Sequence, residues 1–306
     1  MKAIVCTKYG PPGVLQIRDV PKPTPKENEV CVRVRATAAT ISDCIIRGFN
    51  VPAAFWLPMA LVIGVGKPRK PILGMVFAGE VDSVGKAVTS FKMSEKVFGF
   101  DRFDFGTYAE FKCLSEDKVM ARMPANLEFE EAAAIPYGGL LALAFIGKAH
   151  IQTGWKVLIY GASGSVGTAA VQITKSLGAT VTGVCGSTNI GLVESLGADE
   201  VIDYTKKAHL DSADSYDFVF DAVGKRKSSK LKLVCKKALT PNGKYISVDD
   251  GTPKINNEYL ILLKELIETG KIKPVIDRCY PLEQIVEAHR YVDRGHKKGN
   301  IVITVR

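Results

Sequence analysis

One stretch of the chain, Lys156 to Thr174 (KVLIYGASGSVGTAAVQIT), restricts the fold more than any other. It opens with apolar residues suited to a buried strand and, after a glycine-rich turn, continues with apolar residues at helical spacing. Small residues at Ala162, Gly164 and Gly167 suit a tight turn, the approach of a pyrophosphate, and close packing of helix on strand. The amino end of that helix would attract an anion. The pattern predicts a dinucleotide-binding βα unit, and the alternative interpretation is a strand-to-helix turn without a ligand.

The character of the chain changes near Leu127. Before it, short strand-like stretches are separated by glycine and proline, which predicts a β-rich domain. After it, apolar strands alternate with helical stretches, and repeated βα units of this length predict a parallel, doubly wound sheet. The predicted strands are 3–5, 30–34, 76–84, 96–100, 108–113, 157–160, 180–185, 201–203, 218–222, 244–248 and 301–305, and the predicted helices lie at 130–134, 166–173, 189–196, 228–238, 258–268 and 282–292.

The cysteines and the charge restrict where the protein works and what it binds. The seven cysteines are scattered through 306 residues without a CxxC pair, which fits a reducing, cytoplasmic location. The net charge of +9 favours an anionic partner, and a phosphorylated cofactor would be one. The densest basic run, Lys225 to Lys237, has no interleaved aromatic residues, so nucleic-acid binding is not expected, and RNA binding through this run stays a minor hypothesis.

One segment, Val51 to Gly66 (VPAAFWLPMALVIGVG), is unusually apolar. It is shorter than the ~20 apolar residues that a membrane-spanning helix needs, and two prolines interrupt it. We expect a lid or wall over an apolar pocket. Because basic residues follow directly, peripheral contact with a membrane is the alternative.

Several motifs together make the chain resemble a known family from end to end. They are GEVDSVGKAV (79–88), AAAIPYGGLLAL (132–143), VLIYGASGSVG (157–167), SLGADEVIDY (195–204), DFVFDAVG (217–224), KPVIDRCYPLEQIVEAHRYV (273–292) and KKGNIVITV (297–305). The chain resembles the zinc-free quinone oxidoreductases and enone reductases among the medium-chain dehydrogenases/reductases. The resemblance implies an α/β protein with a GroES-like β-rich catalytic domain (1–125 and 250–306) and a doubly wound Rossmann domain (126–249), with the cofactor in the cleft between them.

Zinc separates the branches of this superfamily. Its zinc alcohol dehydrogenases carry a cysteine shortly before a Ser-Asp pair and a histidine after a glycine. Here Thr40 and Ile41 precede Ser42-Asp43, and Met75 follows Gly74. Neither Thr40 nor Met75 is a usual zinc ligand, so we predict no metal.

A hydride acceptor that spreads its own negative charge is expected where zinc is missing. A quinone or an α,β-unsaturated carbonyl does so, and the protein then needs positioning, a hydrogen bond to the oxygen, and a proton. The resemblance places Thr40 beside the nicotinamide as a polar contact. Tyr137 is the candidate proton donor, and the alternative is a packed aromatic whose hydroxyl bonds to backbone. A small, apolar, conjugated substrate is expected.

The cofactor is predicted to be NADPH. An NAD site usually has an acidic residue at the end of its second strand, and Gly183 to Asn189 (GVCGSTN) has none. The resemblance implies that Ser187, Tyr204 and Lys175 surround the 2′-phosphate and that Val223, Gly224 and Val248 lie near the nicotinamide. The full set of predicted cofactor-binding residues is Thr40, Ser163, Gly164, Ser165, Val166, Gly167, Lys175, Ser187, Asn189, Tyr204, Val223, Gly224 and Val248.

The resemblance also implies a homodimer paired at the edge of the nucleotide-binding sheet. The short connection between Val248 and Leu260 argues against it, because many relatives have a longer segment there. A catalytically silent nucleotide-binding protein, with a partner or RNA-binding role, is the alternative function.

Overall fold

The computed structural model describes residues 1–51, 53–206, 215–224 and 230–306, and leaves the side chains of 53–55 and 230 undescribed. The start of the basic run (225–229) and the Phe55 side chain therefore lie outside the described residues. The strands are β1 (Lys2–Cys6), β2 (Leu15–Asp19), β3 (Glu29–Ala39), β4 (Val76–Val84), β5 (Lys96–Phe100), β6 (Phe111–Ser115), β7 (Met120–Arg122), β8 (Lys156–Tyr160), β9 (Thr180–Cys185), β10 (Glu200–Asp203), β11 (Tyr216–Asp221), β12 (Leu239–Ser247), β13 (Ile276–Pro281) and β14 (Asn300–Thr304).

Eight α-helices are described. They are α1 (Ile41–Gly48), α2 (Ala53–Ile63), α3 (Phe129–Ile146), α4 (Ser165–Ser176), α5 (Ile190–Ser195), α6 (Lys230–Lys237), α7 (Asn257–Glu268) and α8 (Ile285–Asp293). By length and composition alone α3 is apolar enough to cross a membrane, but 78% of it is buried inside the protein. The helix therefore belongs to the core of the protein.

The chain forms two compact units. A β-rich unit comprises Met1–Tyr137 and Ile276–Arg306, and an α/β unit comprises Gly138–Val275. In the β-rich unit a seven-stranded sheet has the order β13-β14-β3-β4-β5-β7, and β6 pairs with β3. Apolar residues of β3 alternate with polar ones, so Val30, Val32 and Val34 enter the core while Arg33 is exposed.

The α/β unit contains a five-stranded parallel sheet in the order β10-β9-β8-β11-β12. Tyr160 is in register with Val184 on one side and with Asp221 on the other, and Asp221 is in register with Ser247. The carboxyl ends of these four strands therefore meet at one edge. The strand order reverses beside β8, where ligands bind in sheets of this kind. The predicted doubly wound fold is confirmed.

Residues 250–275 belong to the α/β unit in the structure, whereas the resemblance grouped them with the catalytic domain. The reason is packing. A Cβ atom on Gly139 would lie 2.7 Å from Leu263 of α7, so the missing side chain lets the two helices approach. The Gln172 amide also bonds to the backbone of Lys273 in both directions, at 3.1 and 2.8 Å.

Candidate active site

Three glycines shape the turn after β8, each in a different way. Gly161 has a φ of +82°, and a Cβ atom there would lie 2.5 Å from Val223, so only glycine fits. The tight conformation thus falls at Gly161 and not at Ala162, where the sequence pattern put it. At Gly167 a Cβ atom would lie 2.1 Å from the Gly161 oxygen, which confirms that this glycine permits helix-on-strand packing.

Gly164 is the open position of the turn. It is the N-cap of α4, and a Cβ atom there would meet only the Gly161 oxygen, at an ordinary 3.6 Å. The protein's own packing therefore does not require glycine at 164. The first N–H groups of any α-helix point out of its amino end, and Ser165 and Val166 form that end here. The arrangement fits a pyrophosphate, which would use the space that a side chain at 164 would fill.

A cluster of hydroxyl groups lies where β9 and β10 end. The Ser187 hydroxyl donates to Asp203 at 2.5 Å and lies 2.7 Å from the Thr205 hydroxyl. The Tyr204 hydroxyl lies near Gly186, 3.4 Å from the place that a Cβ atom on Gly186 would take. Asn189, in the short helical turn after β9, donates to Ser163 of the glycine turn at 3.2 Å. The predicted residues Ser163, Ser187, Asn189 and Tyr204 therefore share one edge of the sheet.

Sequence reasoning missed two charged members of this cluster. Hydrogen bonds from Ser187, and then from Thr205, lower the pKa of the partly buried Asp203, so it is a carboxylate at neutral pH. The ammonium group of Lys206 lies 3.9 Å from it. The VIDYTK segment contains both residues, but only the pairing of β10 with β9 brings them to Ser187.

Lys175 does not reach this cluster. It is near the carboxyl end of α4, about 15 Å along the helix axis from the turn of the glycines. Its ammonium group binds both Asp199 oxygens, at 2.6 and 2.8 Å, and Asp199 also accepts from the backbone of Val181 at the start of β9. Lys175 thus lies at the amino edge of the sheet, whereas the expected phosphate contacts lie at the carboxyl edge.

Asp221 organises the turn after β11. One carboxylate oxygen accepts from the backbone N–H groups of Val223 and Gly224, both at 3.0 Å. The other accepts from the Tyr245 hydroxyl at 2.9 Å and from the Lys232 ammonium group. Gly224 has a φ of +73°, as the tight turn requires. The Val248 N–H donates to the Asp221 backbone oxygen, so Val223, Gly224 and Val248 lie together at this edge.

Thr40 is the N-cap of α1 in the β-rich unit and is almost fully buried. Its hydroxyl donates to the Asp43 carboxylate at 2.6 Å and accepts from the Asp43 backbone N–H at 3.2 Å, and its own N–H donates to the same carboxylate at 2.9 Å. Burial raises the pKa of Asp43 to about 6, although the hydrogen bonds from Thr40 oppose the rise. The single hydroxyl proton of Thr40 is thus held by Asp43 whenever Asp43 is ionised.

A buried network of hydrogen-bonded polar side chains adjoins Asp43, and the sequence did not reveal it. The Arg47 guanidinium, which can only donate, lies 3.1 Å from His289 Nδ1, so His289 Nε2 carries the hydrogen and donates to the Tyr108 hydroxyl at 3.1 Å. Burial, and then the charge of Arg47, lowers the pKa of His289 to about 3, so the ring is neutral. Arg47 also binds Asp293 at 2.8 Å.

The Tyr137 hydroxyl lies 2.9 Å from the Ser42 hydroxyl and not on backbone. Its ring is buried and lies near Phe100, with centroids 6.3 Å apart. Burial lowers the pKa of Arg102, and the interaction with Tyr137 opposes that effect, so this cation lies within electrostatic range of the phenol. Either hydroxyl of the Ser42–Tyr137 pair can donate a proton.

Comparison with known proteins decides the family. Residues 26–125 match the Alcohol dehydrogenase GroES-like domain, and residues 165–270 and 252–303 match two families described as Zinc-binding dehydrogenase. The chain is 33% identical to 2-methylene-furan-3-one reductase of Solanum lycopersicum over 323 residues, 99% of this chain and 79% of that protein. It is 31% identical to the chloroplastic NADPH-dependent alkenal/one oxidoreductase of Arabidopsis thaliana over 324 residues, with the same coverage of both. The quinone oxidoreductase structure from Coxiella burnetii superimposes with a TM-score of 0.87 at 29% identity, over 100% of this chain and 99% of that one.

This chain belongs to the quinone oxidoreductase branch of the medium-chain dehydrogenases/reductases. The resemblance read from the sequence is confirmed, and the GroES-like and Rossmann-like parts match the β-rich and α/β units. The members of this family are NAD(P)H-dependent oxidoreductases, so the chain is an oxidoreductase.

Two of the matching families are described as zinc-binding, so whether this chain can bind zinc has to be judged from its own residues. Met75 is buried in the core of the β-rich unit, and Thr40 is held by Asp43 as described. Within the described ranges, no group of three or more His, Cys, Asp or Glu side chains could hold a metal ion.

Two other surfaces singled out from the sequence can also be placed. The exposed face of α2 and the turn after it is apolar, with Leu57, Leu61, Val62 and Val65 between 58% and 71% exposed. Its opposite face, with Ala60 and Ile63, is buried. In the described part of the basic run, α6, Lys232 is bound to Asp221 and is not available to an external anion.

Proposed function

We propose that this member of the branch is a zinc-independent, NADPH-dependent reductase that transfers hydride to quinones or α,β-unsaturated carbonyls. The observation that carries the proposal is the open position at Gly164, at the amino end of α4, on the same sheet edge as the hydroxyl cluster. The names of the relatives support the acceptor class, since they include an alkenal/one oxidoreductase and a quinone oxidoreductase.

NADPH is favoured over NADH by the chemistry of the cluster. Tyr204 offers a hydroxyl group, and Lys206 offers a cation, to the oxygens of a 2′-phosphate. The hydroxyls of Ser187 and Thr205 donate to Asp203 and would turn to the phosphate when it binds. Asp203 opposes this choice, because its carboxylate would repel a phosphate. The Asp203 carboxylate already accepts three hydrogen bonds from Ser187 and Thr205, and the positive charge of Lys206 offsets part of its negative charge.

The acceptor oxygen needs a donor while negative charge develops on it. The nicotinamide supplies the hydride when bound. We propose that the Ser42–Tyr137 pair supplies the proton, since the two hydroxyls are hydrogen-bonded and either can donate. Thr40 can donate to the acceptor only when Asp43 is protonated, because the ionised carboxylate holds its hydroxyl proton. Thr40 is therefore a positioning residue above about pH 6 and a donor below it.

The deciding experiment measures consumption of NADPH and NADH, side by side, with a small quinone and with an alkenone. Steady NADPH turnover that survives exhaustive dialysis against a zinc chelator is expected. Preference for NADH would overturn the 2′-phosphate assignment alone. Binding of NADPH without reduction of either acceptor would favour the catalytically silent alternative, and loss of turnover on chelation would overturn zinc independence.

We also propose a homodimer formed through β12. This strand is at the edge of the five-stranded sheet, and among the described strands it pairs only with β11. An unpaired edge can extend into the sheet of a second copy. Light scattering after size exclusion tests this: a mass twice that of the 33.2 kDa chain is expected, and a monomeric mass would contradict the proposal.

A further inference from the structure

Two cysteines of the β-rich unit face each other across neighbouring strands. In the antiparallel pairing of β3 with β6, Cys31 is directly opposite Cys113. Backbone hydrogen bonds from Val34 to Glu110 and from Glu116 to Asn28 mark the hydrogen-bonded pairs of this ladder. Cys31 is three positions from both Asn28 and Val34, so Cys31 and Cys113 occupy a non-hydrogen-bonded pair.

That position in the ladder suits a disulfide. Directly opposed residues of a non-hydrogen-bonded pair have Cα atoms about 4.5 Å apart, with their side chains on the same face of the sheet. Disulfides form between Cα atoms about 4.4–6.8 Å apart. No movement of either strand is needed to bring the two sulfurs to bonding distance.

The surroundings leave the pair reachable from one side. Cys31 is fully buried, whereas Cys113 is partly exposed. Lys22 lies over the neighbouring Phe111 ring at 4.0 Å and bonds to Asp82 at 2.6 Å. The hydrogen bond between the two sulfurs lowers the pKa of Cys31 and raises the pKa of Cys113. Burial and the charge of Asp82 oppose the fall in the Cys31 pKa, and the charge of Lys22 assists it. One proton is thus shared between the sulfurs once the pair loses its first.

We propose that Cys31 and Cys113 form a redox-active dithiol, which a peroxide converts into a cross-strand disulfide. In the pair that has lost one proton, the remaining proton moves to Cys31 as the accessible Cys113 sulfur attacks the peroxide. The O–O bond breaks, Cys113 becomes a sulfenic acid, and the hydroxide that leaves takes a proton from solvent to form water. The Cys31 sulfur then attacks the Cys113 sulfur, the S–O bond breaks, and a second water leaves with the Cys31 proton. All seven cysteines are free in the structure, so both thiols are available for this reaction.

The other cysteines lack this geometry. Cys279 is exposed, but its partner in the ladder of β13 and β14 is Val302. It can therefore react alone or join two chains, and Cys279→Ser removes that route. The inference does not depend on the proposed function, because neither Cys31 nor Cys113 is among the residues assigned to the cofactor or the acceptor.

The test treats reduced, full-length Cys279→Ser protein with hydrogen peroxide and analyses it by intact mass and by non-reducing peptide mapping. The expected product has lost two hydrogen atoms, contains a peptide joining Cys31 to Cys113, and returns to the starting mass with dithiothreitol. Cys31→Ser and Cys113→Ser in the same background should lose this product while keeping the circular dichroism spectrum of the parent. An unchanged mass, an oxygen adduct on Cys113 without the cross-link, or the same loss of two hydrogens in Cys31→Ser would overturn the proposal. NADPH turnover measured in parallel keeps this result separate from the proposed function.

Discussion

Gly164 and Gly167 are three residues apart and should respond to the same substitution in opposite ways. Gly164→Val adds a side chain in open space at the N-cap of α4, where valine is less favourable than glycine. We therefore expect a loss of stability of no more than about 1 kcal/mol and a loss of NADPH binding of at least about tenfold, which is 1.4 kcal/mol. Gly167→Val places atoms against the Gly161 backbone and should destabilise the fold by about 1–3 kcal/mol. Thermal unfolding and NADPH fluorescence titration measure both. Unchanged NADPH affinity in folded Gly164→Val would refute the phosphate site.

Lys206 and Lys175 form a second matched pair. Both bind an aspartate, but only Lys206 is at the edge where β9 and β10 end. Lys206→Ala should raise the Kd for NADPH about tenfold and leave the Kd for NADH unchanged, because it removes a charge-assisted contact to the 2′-phosphate alone. Lys175→Ala should change neither constant. Equal weakening of both cofactors in Lys206→Ala would show that the lysine does not contact the 2′-phosphate.

Tyr137→Phe removes one hydroxyl and keeps the buried ring. If the Ser42–Tyr137 pair delivers the proton, kcat for alkenone reduction should fall about 100-fold with little change in KM. Reduction of a quinone should fall less, since its product oxygens exchange protons with water readily. If kcat is normal for both acceptors, the Tyr137 hydroxyl does not deliver the proton and Tyr137 is only a packed aromatic residue.

The local sequence points to the candidate binding residues that are contiguous and misses those that meet through tertiary contacts. The glycine turn could be predicted because strand, turn and helix follow one another within nineteen residues. Ser42 and Tyr137, by contrast, are separated by 95 positions, and no local pattern signals their contact. The resemblance placed Lys175 at the 2′-phosphate, but it lies ten residues after the start of α4 and pairs with Asp199.

The helix α2 presents a large apolar surface whose function the fold does not explain. Leu61 and Val65, four positions apart, are 60% and 71% exposed. Tyr9 fixes the end of the helix, with its hydroxyl 3.0 Å from the backbone oxygens of Ile63 and Gly64. We expect Leu61→Gln with Val65→Gln to raise KM severalfold for an apolar quinone, to leave KM for a small polar one unchanged, and to preserve the melting temperature.

The same double variant distinguishes the membrane hypothesis. Binding to vesicles of anionic lipid should be measured beside the kinetics, because Lys67 and Arg69 follow the apolar face and are exposed. If the KM values are unaltered and vesicle binding is lost, the lid hypothesis is wrong and the apolar face of α2 contacts a membrane.

Two apolar strands that contain glycine were predicted with the right bounds, whereas elements that depend on contacts between residues distant in sequence were shortened or missed. β4 and β5 have the predicted bounds, 76–84 and 96–100. β6 begins at Phe111 instead of Tyr108, because Ala109 forms a bridge to Ala3 of β1. The helix α1 was missed although Thr40 and Asp43 form a capping box, the one local signal of its start. β13 was also missed, and none of its six residues is buried, so it shows no alternation of buried and exposed positions.

Two buried groups, Asp43 and His289, should make the unfolding free energy depend on pH, and their contributions change with pH in opposite directions. Asp43 has a pKa of about 6 in the folded chain against 3.8 ordinarily, so between these values the folded state holds a proton that the unfolded state has lost. This lowers the unfolding free energy as pH rises. His289 has a pKa of about 3 against 6.5, so its contribution rises with pH through the same window.

Asp43→Asn removes one of these contributions and keeps the other. Between pH 3.8 and about 6, the stability of the variant should rise with pH more steeply than that of the wild type, by up to about 1.4 kcal/mol per pH unit. Urea unfolding of both proteins across this window measures the difference in slope. Parallel curves would mean that Asp43 has an ordinary pKa in the folded chain.

The position of β14 also determines the order in which a ribosome can complete this protein. β14 is synthesised after all the other described strands, yet it lies between β13 and β3 and pairs with residues Ala36–Ala39. The α/β unit, in contrast, is one continuous segment that is fully synthesised before β13 and β14 are made. Because domains fold as units during synthesis, the inserted unit has all its residues first, while the β-rich unit waits for β13 and β14. A nascent chain stopped before Asn300 would carry a complete nucleotide-binding unit and a sheet in which one side of β3 lacks its partner.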